Sequence, residues 1–347
     1  MDLHLLPSNP GLETTTAAVT VGRFAPSPTG LLHAGSLVTA VASYLFAKSQ
    51  GGKWLLRMED LDTARNIPGA ADAILRQLEQ LGLYWDGPVV YQSARTEFYA
   101  ETLQQLIRKG DVYRCSCSRR EIAATALRHT ASGPVYSGHC RHLEHGMKAA
   151  AVGSAKNTAC RDTNQHGSWR LRVNTVPISF VDILHGHIAQ HLALEVGDFI
   201  LKRADGVFAY QFVTPIDDAA QHINQVIRGM DLLDSTPRQI YLLQRLGLPI
   251  PSFGHIPLVL DAAGAKISKS TQLLDKIDAA LPLPFGGGDL FRVLEFLRQV
   301  PPAELNGPRR GQAGVTGAPA DELLRWALLN FDPAAIPLDN AAMDIPR

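Results

Sequence analysis

The chain has 347 residues, and its 33 basic and 33 acidic side chains leave a formal net charge of zero. At roughly 100–200 residues per domain, that length suits about two domains or one elaborated α/β domain, and a 46% hydrophobic fraction fills a sizeable core. These figures exclude a disordered chain, a collagen-like chain and a disulfide-stapled miniprotein. They also argue against a protein that coats nucleic acid non-specifically, because that affinity comes from a basic excess. A local basic groove remains compatible with them. No apolar run approaches the ~18–20 residues of a membrane helix, and the first residues lack the basic start and apolar core of a secretory signal. No membrane partner is expected. Only four cysteines occur, which is not a disulfide framework and points to a reducing compartment, the cytoplasm.

Residues 1–18 are polar and aperiodic and read as a flexible leader. Ala18–Phe24 is apolar and β-prone, which predicts a buried strand running into the turn APSPTG. Ala34–Lys48 has apolar residues at helical spacing and stops at Gly51-Gly52. Lys53–Met58 predicts a second strand, ending at Glu59-Asp60-Leu61-Asp62. Gly69–Leu81 and Ala94–Lys109 predict amphipathic helices, the second leading into Val112–Arg114. Strand and helix alternating in this order imply right-handed crossovers and a parallel, Rossmann-like α/β sheet. Ligands on such sheets sit at the carboxyl ends of the strands, where APSPTG and EDLD both fall.

Residues 115–194 break the alternation and read as an insertion between two halves of a catalytic domain, 19–114 and 195–247. Strands are predicted at Glu195–Leu201, Phe208–Val213 and Ile223–Arg228, then a helix at Thr236–Leu246. Ile256–Leu260 predicts a strand entering the loop DAAGAKISKS. Residues 248–347 comprise this loop and a short helical region, with helices near Asp289–Gln299 and Ala320–Asn330. Nothing points to an obligate interface, so a monomer is expected.

Two segments carry phosphate chemistry. The first, RFAPSPTGLLHAGS (Arg23–Ser36), joins a strand to a helix. Its glycines let backbone approach a ligand, and the helix start offers unpaired N–H groups and a positive dipole end. It has neither the Walker A spacing nor the dinucleotide glycine spacing. The second is Lys266-Ile267-Ser268-Lys269-Ser270, whose two lysines and two hydroxyls can neutralise and bind a polyphosphate. Alone it is an ordinary solvated loop; the pair together is far more specific.

That pair resembles the class I aminoacyl-tRNA synthetases, with LHAGS in place of the HIGH signature and KISKS in place of KMSKS. The segments RFAPSPTGLLHAG, LRMEDLDTAR, DGVFAYQF and VIRGMDLLDSTPRQIYLLQRLG resemble the glutamyl branch, over roughly residues 20–115 and 180–275. The resemblance implies ATP-dependent formation of an aminoacyl-adenylate. A carboxylate is already nucleophilic at pH 7, so the site must supply alignment and positive charge rather than a general base. It implies His33 and Lys269 as catalytic groups. ATP binding falls to His33, Gly35, Ser36, Lys266, Ser268, Lys269 and Ser270, with Mg2+ accompanying the nucleotide. Ser36 stands where the second histidine of HIGH would be. L-Glutamate binding is carried onto Arg23, Ser27, Glu59, Tyr210 and Arg228, and the residue types suit it: arginine forks for carboxylates, an anion for the α-ammonium. Asp217, Asp218 and Asp231 are open as ribose or structural partners.

Cys115, Cys117 and Cys140 offer three thiolates within one short window, and tetrahedral zinc takes a fourth ligand. His139, His142 and Tyr136 are the candidates, and chemistry alone prefers a histidine. The tRNA-modifying relatives of glutamyl-tRNA synthetase have a Cys-x-Cys … Tyr-x3-Cys pattern, and that resemblance implies Tyr136 and one structural Zn2+. Cys160 reads as incidental. The 77 residues after Ser270 are few for an anticodon-reading domain. With the cysteine pattern, this resembles the glutamyl-queuosine tRNA(Asp) synthetases and implies transfer of glutamate to the queuosine base in the anticodon of tRNA(Asp). The competing readings are a truncated glutamyl-tRNA synthetase charging the 3′ end of tRNA(Glu) and a non-catalytic zinc-containing RNA-binding module. Arg119, Arg120, Arg141 and Arg309-Arg310 could meet phosphates, single-stranded loops being the usual targets of specific RNA readers.

Overall fold

In the computed structural model of the chain, the described residues are 19–130, 133–141, 167–260, 264, 285–305 and 318–343. The leader 1–18, His142, the 145–166 stretch with Cys160, the lysines and serines of KISKS, and Arg309-Arg310 lie outside them.

The chain begins with the expected β1 (Val21–Phe24), α1 (Ala34–Lys48), β2 (Lys53–Met58), α2 (Ala70–Gln80) and α3 (Thr96–Arg108), and adds between the last two helices an unexpected short strand, β3 (Val90–Tyr91). These strands form a parallel set in the order β1-β2-β3. The excursion that follows comprises β4 (Val112–Cys115), α4 (Arg119–Thr125), the hairpin β5 (His129–Thr130) and β6 (Gly133–Pro134), then β7 (Ser168–Leu171), β8 (Ile178–Asp182), β9 (Gly186–Gln190), α5 (Leu192–Glu195) and β10 (Phe199–Lys202). β4, β7 and β10 make a separate antiparallel sheet with β7 in the centre. The chain then returns through α6 (Tyr210–Ala220), β11 (Gln225–Gly229), α7 (Thr236–Leu246), β12 (Ser252–Ile256) and β13 (Val259–Leu260). It ends with α8 (Gly287–Phe296), α9 (Ala320–Asn330) and β14 (Ala341–Ala342).

β11 lies beside β1, joined where the Asn224 N–H donates to Val21 O at 3.1 Å and the Asn224 Oδ1 accepts from the Val21 N–H at 2.8 Å. β12 pairs in parallel with β11, and β8 with β12. The hairpin β8–β9, although part of the insertion in sequence, therefore extends the edge of the parallel sheet. This is the parallel, Rossmann-like α/β sheet that the alternation of strand and helix predicts.

α1 is apolar around most of its circumference because it is covered on both sides. Leu37, Val41, Leu45 and Phe46 belong to a core that also holds residues of β1 and β2 on one side and of α8 and α9 on the other. A second core joins α3, the antiparallel sheet, α6 and α7. Among the described residues no helix is long and apolar enough to cross a membrane.

Three elements depart from expectation. The strand expected at Glu195–Leu201 starts only at Phe199, because Glu195 closes α5 and Gly197 at φ +73 interrupts the extended backbone, and it pairs antiparallel with β7 instead of joining the parallel sheet. Phe208–Val213 is not a strand: Phe208 makes a single bridge to Lys202, and helix α6 starts at Tyr210. A short apolar run fits a strand or a buried helix equally by periodicity, and Pro215 further disguised the helix. Its missing N–H forfeits only the bond to Gln211 O, while Phe212, Val213 and Ile216 gain burial. The expected strand Ile256–Leu260 is instead β12 ending at Ile256, followed after Pro257 by the two-residue β13.

Candidate active site and metal centre

The carboxyl ends of β1, β2 and β11 open onto one cavity of about 510 Å³. Arg23, Ser27, His33, Gly35, Ser36, Glu59, Tyr210 and Arg228 all line it, together with Thr39, Arg65, Asp231 and Leu258. Every expected glutamate residue and each expected ATP residue of the first motif is thus brought together.

His33 is the N-cap of α1. Its Nδ1 accepts the Ser36 backbone N–H at 3.3 Å, and its Nε2 lies 3.0 Å from Ser36 Oγ. With Nδ1 as acceptor, the network assigns the ring proton to Nε2, which donates to Ser36 Oγ. The Ser36 hydroxyl hydrogen is then aimed elsewhere than the ring. Gly35 suits this packing, since a Cβ there would lie 3.2 Å from the His33 ring and press it aside by a few tenths of an ångström.

Beneath the cavity runs a chain of alternating charge. Asp218 Oδ1 binds Arg23 Nε at 3.3 Å and Arg57 Nη1 at 2.8 Å. Arg57 Nη2 is 3.5 Å from Glu59 Oε1 and its Nε 3.8 Å from Asp217 Oδ2. Asp217 in turn accepts from Arg95 at 2.7 Å, Tyr99 at 2.7 Å and Gln92 at 2.9 Å. Arg57, Asp217 and Asp218 are buried. Burial opposes the Asp218 carboxylate, but Arg57 and Arg23 outweigh it and hold its pKa below the ordinary value. Burial pushes Glu59 up, opposed in part by Arg57, Arg23 and the Thr214 hydroxyl that donates to it at 2.9 Å. The terminal nitrogens of Arg23 have no partner among the described residues and belong to a cavity-lining side chain.

Arg228 differs from Arg23. Its guanidinium donates to Tyr210 Oη (3.3 Å), Gln239 Oε1 (2.8 Å), Leu232 O (3.3 Å), Thr236 Oγ1 (2.6 Å) and His255 Nε2 (3.1 Å). All five N–H groups are engaged by neutral acceptors, and no carboxylate lies at ion-pair distance among the described residues. Burial accordingly lowers its pKa.

Sequence reasoning missed Arg57, Thr214, Asp182 and His255. Arg57 carried a signal: a charged residue inside an apolar parallel strand has to be paired. Tyr210, Thr214, Asp217 and Asp218 also recur at helical spacing, which marks a polar stripe once α6 is seen as a helix. Asp217 and Asp218 serve the ion chain.

Cys115 ends β4, Cys117 follows two residues later, and Cys140 comes after the β5–β6 hairpin. Their sulfurs lie within 4.8 Å of one another, with Cys117 and Cys140 3.4 Å apart. The Tyr136 hydroxyl is 3.3 Å from Cys115 Sγ and 3.6 Å from Cys117 Sγ, and accepts the Cys140 N–H at 2.9 Å. His139 is exposed, outside this cluster. Gly197, at φ +73, lets the chain before β10 approach Tyr136, whose carbonyl oxygen would be 2.6 Å from a Cβ there. Of the arginines considered for phosphate contact, Arg119 and Arg120 are exposed, while Arg141 is tied to Asp198 and Val173 O.

The catalytic-domain family of class I tRNA synthetases (E and Q) matches residues 19–279. A glutamyl-Q tRNA(Asp) synthetase of Dechloromonas aromatica (strain RCB) is 50% identical over 304 residues, 87% of this chain and 92% of that protein. One from Geobacter sulfurreducens is 47% identical over 320 residues, 91% and 93% of the two chains. Among solved structures, a glutamate tRNA ligase from Elizabethkingia meningosepticum shares the fold with a TM-score of 0.66 at 24% identity, covering 94% of this chain and 67% of that one. With the LHAGS turn and the charged cavity in place on this sheet, the chain belongs to the class I tRNA synthetases of the E and Q type.

Proposed function

We propose that the protein activates L-glutamate with ATP as glutamyl-adenylate and transfers the glutamyl group to the queuosine base in the anticodon of tRNA(Asp). The observation that carries the activation step is a single cavity holding Arg23, with its terminal nitrogens unpartnered among the described residues, and Glu59, beside the His33–Ser36 turn. Below it the arginines 23, 57 and 95 are held by Glu59, Asp217 and Asp218, and Arg228 faces Asp182 across His255, so the terminal nitrogens of Arg23 are the cationic group offered to an anionic ligand.

In this reading Arg23 and the Tyr210 hydroxyl hold carboxylate oxygens, with Arg228 fixing Tyr210, while Glu59 holds the α-ammonium and Ser27 lies alongside. The α-carboxylate attacks the α-phosphorus of ATP and pyrophosphate leaves; a queuosine hydroxyl then attacks the acyl carbon of the glutamyl-adenylate, forming the ester and releasing AMP and the hydroxyl proton. His33, Gly35 and Ser36 receive phosphate at the positive end of α1, where N–H groups and dipole favour an anion. Lys266, Ser268, Lys269 and Ser270, outside the described residues, are assigned to the same phosphates, and Mg2+ to the nucleotide. Positioned charge of this kind typically contributes about 10²–10³ in rate per contact.

The thiol cluster fits a structural Zn2+. Three sulfurs converge, and among the described residues the Tyr136 oxygen, which meets one backbone donor and the thiols, is the fourth donor at hand. Bound there, the ion would tie the end of β4 to the hairpin and the 138–141 turn, a segment with little apolar core of its own. Free thiols persist in a reducing cytoplasm, and a monomer suffices for this site. The acceptor assignment is supported by relatives named glutamyl-Q tRNA(Asp) synthetase, whose own length the matches cover by 92–97%.

Glutamate-dependent ATP–pyrophosphate exchange is expected without any tRNA. Lys269→Ala should abolish it while leaving zinc content unchanged, and exchange retained in that variant would overturn the assignment of the KISKS loop. Glu59 is raised by burial, whereas a bound ammonium favours its anion, so glutamate binds best above that pKa. The KM for glutamate should climb by up to about tenfold per pH unit as pH falls through it. Glu59→Gln should have a higher KM with no such acid limb; an unchanged limb would contradict the role. One zinc per chain should be found by elemental analysis, and Cys140→Ser should lose it and melt at lower temperature. Full zinc occupancy in Cys140→Ser would remove that cysteine from the ligand set.

A further inference from the structure

Arg228 stands beside His255 in the register of β11 and β12, and Asp182 comes from β8, the next strand outward. A hydrogen-bonded row therefore crosses three neighbouring strands toward the cavity. Asp182 Oδ2 is 2.6 Å from His255 Nδ1, and His255 Nε2 receives the Arg228 Nε–H at 3.1 Å. Arg228 Nη1 then donates to the Tyr210 hydroxyl, whose own hydrogen has no partner among the described residues. Asp182 and His255 are both buried, and neither belongs to the signatures from which the site was expected.

The row has one consistent set of protons. Thr236 Oγ1 accepts from Arg228 Nη2 at 2.6 Å, so its hydroxyl hydrogen is available to His255 Nε2, 3.0 Å away. His255 Nε2 thus faces two donors and must be a bare lone pair, which places the ring hydrogen on Nδ1, toward Asp182. Asp182 Oδ1 is occupied by the backbone N–H groups of Leu184 (2.9 Å) and His185 (3.1 Å). Its orientation is set by the turn of the β8–β9 hairpin, and Oδ2 is left for the ring. The His185 ring bonds His255 O, not the His255 ring.

We propose that Asp182 and His255 are positioning residues of the amino-acid site: Asp182 selects the Nδ1–H tautomer of His255, whose Nε2 lone pair orients Arg228 and, through it, the Tyr210 hydroxyl that meets a substrate carboxylate. The last link rests on the glutamate reading above; the tautomer does not. Burial, the largest influence, and the neighbouring Arg228 both favour the neutral ring, against the pull of Asp182. The insertion in this way reaches the substrate site through its β8 strand rather than through its metal-binding part.

Asp182→Asn separates this role from simple packing, because it is isosteric. Its oxygen stays with the two backbone donors, so its NH2 faces His255 Nδ1 and demands a lone pair there. The ring hydrogen moves to Nε2, where it confronts the Arg228 N–H. The tautomer is read directly by long-range 1H–15N correlation of the ring, assigned by the signal lost in His255→Gln. We expect Nδ1–H in the wild-type protein and Nε2–H in Asp182→Asn. We also expect the KM for glutamate in pyrophosphate exchange to rise roughly 10- to 100-fold, as for one lost hydrogen bond to a charged group, with the KM for ATP within about twofold of wild type. An Nε2–H ring in the wild type, an unmoved tautomer in the variant, or equal rises in both KM values would each overturn the proposal. Should Asp182→Asn fail to fold, the wild-type ring alone decides. Absence of glutamate-dependent exchange in the wild type would instead strike the glutamate reading and leave the tautomer assignment standing.

Discussion

A guanidinium at full burial has to be neutralised where it stands, and Arg57 on β2 imposes that demand on the whole site. Removing one partner from a buried pair typically costs about 3–5 kcal/mol, because the other charge is left uncompensated. Asp217 and Asp218 must therefore face the sheet from α6, and this sets the rotation of the helix. Tyr210 and Thr214 lie on the same stripe, so the turn of α6 that satisfies Arg57 also delivers the phenol to the cavity and the Thr214 hydroxyl to Glu59. Arg95 closes the outer end of the chain and Arg23 the inner end.

The site uses its arginines in two ways. Arg23 spends one N–H on Asp218, and its terminal nitrogens have no partner among the described residues. Arg228 has every N–H occupied by neutral acceptors, so it contributes fixed charge and orientation.

Local pattern made much of this legible. α1 and β2 have the expected limits because apolar spacing, Gly51-Gly52 and the acidic cluster punctuate them without ambiguity. The meeting of Arg23, Glu59, Tyr210 and Arg228 was anticipated from the resemblance to the glutamyl branch, and for Arg23, Glu59 and Arg228 also because motifs at strand ends converge on a parallel sheet, whereas Tyr210 arrives at the start of α6. What was not legible depended on pairing at a distance. Asp182 and His255 are 73 residues apart, and no local pattern links an insertion hairpin to the edge of the sheet. Helix α6 was misread because an aromatic, β-branched run with an internal proline resembles a strand until its buried partners are known. Tyr136 met the thiols through a hairpin and a turn whose geometry spacing alone does not specify.

The activating machinery and the acceptor are separate questions: the charged cavity bears on glutamate and ATP, and the acceptor on what RNA reaches that cavity. The most direct measurement incubates the full chain with ATP, radiolabelled glutamate and tRNA(Asp) from queuosine-containing and queuosine-free cells. The account predicts label only on the queuosine-containing tRNA(Asp), surviving prior periodate oxidation of its 3′ end. Label on tRNA(Glu) that is abolished by that oxidation would contradict it and identify an enzyme that charges the acceptor end.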